Sequence, residues 1–212
     1  MRRVLIFSLA YYPTFVGGAE VAIKEVTDRI TGIEFHMVTL RFSLSDAREE
    51  KIGNVFVHRI LNGNGVISKF LFQFAAAHAA WRLHRSEKFD TLWAMMAHSA
   101  GVPAALFNLR HPEVPYVLSL QEGDPIPHIE RTMLPLWPLF TRAFTKATII
   151  LPLSNYLARW ARAQHFVGPI EIVPNGVSVQ EFVGAPIAHE GTVLITTSRL
   201  VHKNAVDDVI RA

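Results

Sequence analysis

Apolar residues cluster in short runs along this chain: VLIFSL (4–9), FHMVTL (35–40), VFVHRI (55–60), TLWAM (91–95), YVLSL (116–120), TIILPL (148–153), IEIV (170–173) and TVLITT (192–197). Several are continuous, not alternating, which predicts strands buried on both faces, as in a parallel sheet covered by helices. Between them lie segments of helical spacing. In 19–30 the apolar positions Val21, Ala22, Val26 and Ile30 alternate with Lys24, Glu25 and Asp28. Segments 66–85, 132–146 and 155–164 read as helices too. Strand and helix alternate throughout, which predicts an α/β, Rossmann-like, doubly wound and mostly parallel sheet.

The pattern weakens at 183–191, VGAPIAHEG, which reads as a linker. Beyond it come one expected strand (192–197) and an expected helix from Asn204 to Ala212, too little for a domain. The expectation is a first domain at 1–182, a linker at 183–191, and at 192–212 the first β–α unit of an incomplete second domain.

Composition narrows the chemistry. The 212 residues are 50% apolar and 18% charged, with no cysteine. Disorder, a disulfide scaffold, a cysteine nucleophile and a thiolate zinc site are thereby excluded. The net charge of +3 is too weak to imply nucleic acid by itself. The N-terminal MRRVLIFSLAYYP reads as a buried first strand, not a secretory signal, because its apolar run is short and Tyr-Tyr-Pro follows. The longest charge-free stretch, 91–109, contains His98, Gly101, Pro103 and Asn108 and makes a poor spanning helix. The default location is the cytoplasm.

The first strand runs into AYYPTFVGGAEVAIKEV. Gly17-Gly18 falls where loop becomes helix, at the carboxyl edge of the sheet where ligands bind. Backbone N–H groups there suit an anion; a plain glycine turn fits the spacing equally. There is no G-x-G-x-x-G and no G-K-[ST], which disfavours a nicotinamide oxidoreductase and a P-loop. H-E-x-x-H and G-x-S-x-G are also absent.

Four segments in order then carry a family resemblance: YYPTFVGGAE, TIILPLSNYLARWA, IEIVPNGVSVQEF and TSRLVHKNAVDDVIRA. Together they resemble the family 4 (group 1) glycosyltransferases of two-domain GT-B architecture. That resemblance implies a nucleotide-diphosphate sugar as donor, a glycan or lipid-linked acceptor, and transfer with retention and without a metal or other cofactor. No D-x-D occurs, unlike in metal-dependent GT-A enzymes. The resemblance also implies that Gly17 and Gly18 lie against the donor phosphate, with Arg199 and Lys203 binding the diphosphate. Lys203 stands one residue earlier than the family's Lys, whose position holds Asn204; a surface ion pair fits it as well.

Where the family has a His-Asp pair after the strand YVLSL, this chain has Gln121-Glu122, the candidate catalytic pair. Gln121 can donate a hydrogen bond but cannot take up a proton as histidine does. Glu122 and Asp124 suit acceptor hydroxyls or a base; an ordinary polar turn is the alternative. His98 matches a histidine the family often has in the preceding loop, though a lone histidine is more often structural. Ser154 and Asn175 sit at strand ends and, with His98 and Asp124, are the candidate acceptor or cleft residues, although Asn175-Gly176 reads first as a turn.

Basic and aromatic residues interleave at Lys69, Phe70, Phe72, Phe74, Trp81, Arg82 and Arg85, again from Arg131 through Trp137, Phe140, Arg142 and Phe144 to Lys146, and at Arg159, Trp160 and Arg162. They suit peripheral contact with an anionic bilayer, at the inner face of the cytoplasmic membrane, or aromatics packed on the sheet. Single-stranded nucleic acid is disfavoured by the family resemblance. The family's paired glutamates are not in the sequence, so the chain alone is expected to be a poor catalyst. The alternative is the acceptor- or membrane-binding half of a split enzyme that pairs with a separate donor-domain chain.

Overall fold

The computed structural model describes residues 1–181, 184, 191–198, 200 and 204–211. The chain divides after Gly176 into a large unit, Met1–Gly176, and a small one, Val177–Ala212.

The large unit is built on a seven-stranded sheet. Its strands are β1 (Arg2–Phe7), β2 (Ile33–Leu40), β3 (Glu49–Ile52), β4 (Val55–Ile60), β5 (Thr91–Met95), β6 (Tyr116–Leu120) and β7 (Ile149–Pro152), in spatial order β3-β4-β2-β1-β5-β6-β7. All neighbours pair parallel except β3 with β4. The helices are α1 (Gly18–Arg29), α2 (Val66–Glu87), α3 (Val102–Arg110), α4 (Ile126–Met133), α5 (Trp137–Thr145) and α6 (Asn155–Ala163).

Side-chain alternation along the central strand splits the core. Leu5 and Phe7 point to one face, among Phe72 of α2, Phe107 of α3, Phe140 and Phe144 of α5 and Trp160 of α6. Ile6 points to the other, against Ile23 of α1, Met37 and Val57. The sheet is therefore covered on both faces, as its continuous apolar strands require. Phe140, Phe144 and Trp160 pack ring on ring at 5.1–6.1 Å. These rings, with Phe72, are fully or almost fully buried. They belong to the sheet packing and not to an outer surface, which settles for them the two readings of the basic-aromatic segments.

Three expected boundaries differ. Segment 132–146 is not one helix: α4 ends at Met133, a 3-10 turn spans Leu134–Leu136, and α5 restarts at Trp137. Pro135 and Pro138 each remove a donor and disfavour helix before them. Residues 170–173 run beside β7, with Glu171 N–H bonded to Ile150 O and Val173 N–H to Pro152 O, but they form a single bridge and no strand. Residues 192–197 carry no strand pairing; a strand without a neighbour has no ladder to join. The small unit contains, among its described residues, a 3-10 turn at Val179–Glu181 and helix α7 (Val206–Arg211).

Candidate active site

The strand order reverses direction at β1, between β2 and β5. In a doubly wound sheet that switch point opens a crevice at the carboxyl ends of the strands, where ligands bind. Two loops border it: 8–17 after β1 and 96–101 after β5.

The second loop is held in an unusual form. Met96 has φ 68° and ψ 130°, a region that side-chain-bearing residues rarely adopt. One π-helical turn, Ala97–Gly101, follows before α3 begins. Such turns and such outliers persist only where their surroundings fix them, and they gather at functional sites. Here the fixing bonds can be named. Glu122 Oε1 accepts the Ala97 N–H at 2.5 Å. Gln73 of α2 donates to the carbonyls of His98 and Ser99 at 3.3 and 3.4 Å, and Ser99 Oγ donates to Met95 O at 3.2 Å.

The Glu122 side chain is fully buried, whereas that of His98 is 31% exposed, with its Nδ1 3.7 Å from Glu122 Oε1. His98 Nδ1 and Glu122 Oε2 are both buried without a hydrogen-bond partner. The arrangement is a partly exposed imidazole backed by a buried carboxyl group.

Beside it, Gln121 and Asn175 form a reciprocal amide pair: Gln121 Nε2 donates to Asn175 Oδ1 at 3.1 Å and Asn175 Nδ2 to Gln121 Oε1 at 3.2 Å. Asn175 thus makes a side-chain contact, the second of the two readings of its Asn-Gly pattern. A Cβ placed on Gly18 would lie 4.0 Å from Asn175 Nδ2, so the glycine loop borders the same group. Gly18, Asn175, Gln121, Glu122 and His98 therefore form one connected set.

Other expected residues fare differently. The Gly17 N–H is taken by Glu20 Oε2 at 2.9 Å, and a Cβ on Gly17 would meet that oxygen at 2.6 Å. The chain's own carboxylate thus occupies the helix N-terminus where an anion was expected, and a side chain at 17 would have to displace it. The G-x-x-E spacing was the signal for this cap. Ser154 caps α6, accepting the Leu157 N–H at 3.4 Å. Asp124 is exposed two residues past Glu122. Arg199 and Lys203 lie outside the described residues.

Sequence reading missed Arg59, a charge inside the apolar strand β4. It is buried, donates to Ala47 O at 2.8 Å and Tyr12 O at 2.6 Å, and pairs with Glu50 at 2.5 Å. It ties the loop after β1 to the loop after β2. Thr14 adds a second tie, donating to Asp46.

Two groups with metal-ligand chemistry, His84/His111/Glu113 and Glu34/His36/Glu87, sit at the opposite, amino edge of the sheet. In the first, His84 Nδ1 accepts the Phe89 N–H, which leaves the ring proton on Nε2. In the second, Arg3 already pairs with Glu34 at 2.7 Å. Neither group reaches the crevice.

Residues 16–181, more than three quarters of the chain, match the family model described as Glycosyltransferase Family 4. The chain belongs to glycosyltransferase family 4. No curated protein matches it by sequence. Solved structures share the fold. Sucrose-phosphate synthase from Thermosynechococcus elongatus is 11% identical over 87% of this chain and 51% of its own, with a TM-score of 0.66. A lipopolysaccharide outer core galactosyltransferase is 15% identical over 84% and 47%, with a TM-score of 0.55. The E. coli trehalose-6-phosphate protein bound with UDP-2-fluoro glucose is 14% identical over 84% and 50%, with a TM-score of 0.56. The chain spans about half the length of these proteins. Among the described residues of this family 4 chain, no helix is long and apolar enough to cross a membrane.

Proposed function

We propose that this chain is the acceptor-side domain of a glycosyltransferase that moves a glycosyl group from a nucleotide-diphosphate sugar to a glycan or lipid-linked acceptor hydroxyl, without a metal ion. The observation that carries this reading is the His98–Glu122 pair, held by a strained turn at the switch-point crevice. In the reaction the anomeric C–O bond breaks with its electron pair passing to the diphosphate. The acceptor oxygen bonds to the anomeric carbon and its proton passes to the departing diphosphate.

In this reading His98 hydrogen-bonds a hydroxyl of the reacting sugars, and Glu122 is a positioning residue that fixes the imidazole. The Gln121–Asn175 pair offers two donors and two acceptors to sugar hydroxyls. Asp124 lies at the acceptor side, and Ser154 keeps a hydroxyl proton to donate while it caps α6. Gly17 and Gly18 approach the diphosphate, for which Glu20 must release the Gly17 N–H. Arg199 and Lys203 supply the cations that stabilise charge building on the leaving group.

The test is steady-state transfer by the native gene product with a panel of nucleotide sugars. His98→Ala is expected to lower kcat/KM by about 100-fold. Glu122→Ala is expected to lower kcat with KM little changed, and Glu122→Gln to restore part of it. Wild-type turnover unaffected by both alanine variants would overturn these roles. Acceptor binding without turnover would favour the other reading, a binding half that pairs with a separate donor-domain chain.

A further inference from the structure

Helix α2 has an outer face as well as a buried one. Phe72, Gln73, Ala76, Ala77 and Ala80 pack inward. On the opposite side Ile67, Phe70, Leu71, Phe74, His78, Trp81, Arg82 and Arg85 follow the i, i+3, i+4, i+7 spacing of one continuous stripe. The stripe is divided by chemistry. Its first two turns are apolar and open to solvent: Ile67 is 77% exposed and Phe70 45%, with Leu71 and Phe74 similar to Phe70. Its last two turns are cationic, and Arg110 of α3 adds a guanidinium 5.5 Å from the Trp81 ring. The only carboxylate on α2 is Glu87, at its last residue and turned toward Arg3 at 3.9 Å.

A helix apolar on all sides is normally enclosed. Here the sheet covers one side, and four large apolar side chains remain on the other. They are too few for a standard protein interface, which takes roughly 20 residues a side. An interfacial helix needs no shape complementarity: apolar side chains enter the headgroup boundary and basic ones meet anionic lipid. The graded stripe, apolar then cationic and free of carboxylates, matches that surface and no neutral one.

We propose that the outer face of α2 docks this domain onto an anionic bilayer surface, the apolar turns entering the headgroup boundary and Arg82 and Arg85 resting among the headgroups. The apolar turns follow the carboxyl end of β4 and so lie at the sheet edge that carries His98. The domain would dock with that edge toward the lipid. The proposal does not depend on the transferase reading, and its test involves no turnover.

The test is flotation of the chain with vesicles of phosphatidylcholine alone and of phosphatidylcholine with a quarter phosphatidylglycerol, at low and high salt. Binding is expected only to the anionic vesicles and is expected to weaken with salt. Ile67→Ser/Phe70→Ser/Leu71→Ser should lower the partition coefficient by about 100-fold, at roughly fivefold for each half-inserted side chain. Arg82→Gln/Arg85→Gln should lower it by about 25-fold, at roughly fivefold per charge. All these positions are outward, so the far-UV spectrum should be unchanged; the arginine pair tests the surface independently if the serine variant fails to fold. No binding to anionic vesicles overturns the proposal, as does equal binding by the variants. So does a dimer in sedimentation velocity that the serine variant dissociates, which would assign the face to a second copy.

Discussion

Glu122→Ala removes the acceptor on which the turn after β5 depends. The Ala97 N–H, bonded to Glu122 Oε1 at 2.5 Å, would lose its partner beside a fully buried side chain. A buried donor left unsatisfied costs about 1–3 kcal/mol, and the void left by the side chain adds about 1 kcal/mol. Against this, the loosened turn relieves part of the strain at Met96, where φ is 68°; strain of this kind amounts to about 1–3 kcal/mol. The net expectation is a loss of about 2 kcal/mol, equivalent to roughly 4–8 °C in Tm for a domain of this size. Glu122→Gln keeps an acceptor for Ala97 and forfeits only the charged group's share, less than about 1 kcal/mol. Urea denaturation followed by far-UV dichroism resolves the two. If Glu122→Ala and Glu122→Gln are equally stable, the carboxyl group does not hold the turn and the positioning argument for His98 fails.

Gly101→Ala should destabilise by about 1–3 kcal/mol, because the new methyl would stand 2.9 Å from the Ala143 Cβ where α3 crosses α5; calorimetry showing a raised Tm would contradict that packing. Arg59→Met should cost about 2–4 kcal/mol, below the full loss of a buried pair because Glu50 is one-third exposed, and limited proteolysis should then cut within 41–48. Acidification should destabilise. The Glu34 carboxyl is held below the usual range, chiefly by the His36 hydrogen bond and also by Arg3. The His58 ring is held below its usual value, first by burial and then by His36 beside it. In both cases the unfolded chain binds protons before the folded one, so stability falls as pH drops below about 6.5. His58→Gln should flatten the upper part of that fall; stability that rises between pH 7 and 5 would show the sign to be wrong.

The strands that continuous apolar runs marked at 55–60, 91–95 and 116–120 match the structure to the residue. Their β-branched and aromatic residues favour a strand, and at least one face of each is buried, although the other face of β4 stays partly open at Phe56. Strand β3, EEKI, escaped because it is a polar edge strand with alternate residues exposed. Helix α3 escaped because burial on most sides erases the polar face that periodicity needs. At the site, His98, Gln121, Glu122 and Asn175 were each visible as residues at strand ends. Their pairing was not, since His98–Glu122 and Gln121–Asn175 are set by the order β1-β5-β6-β7 and not by spacing along the chain. Arg59 lay in plain view as a charge within an apolar strand, the pattern of a buried cation that needs a partner.

The most direct measurement is sugar transfer from nucleotide-diphosphate donors by the native gene product, compared with the 212-residue chain alone. The account predicts transfer by the native product, loss of about 100-fold with His98→Ala, and no appreciable turnover from the chain alone. Full turnover from the chain alone, or no transfer by the native product from any nucleotide sugar, would contradict it.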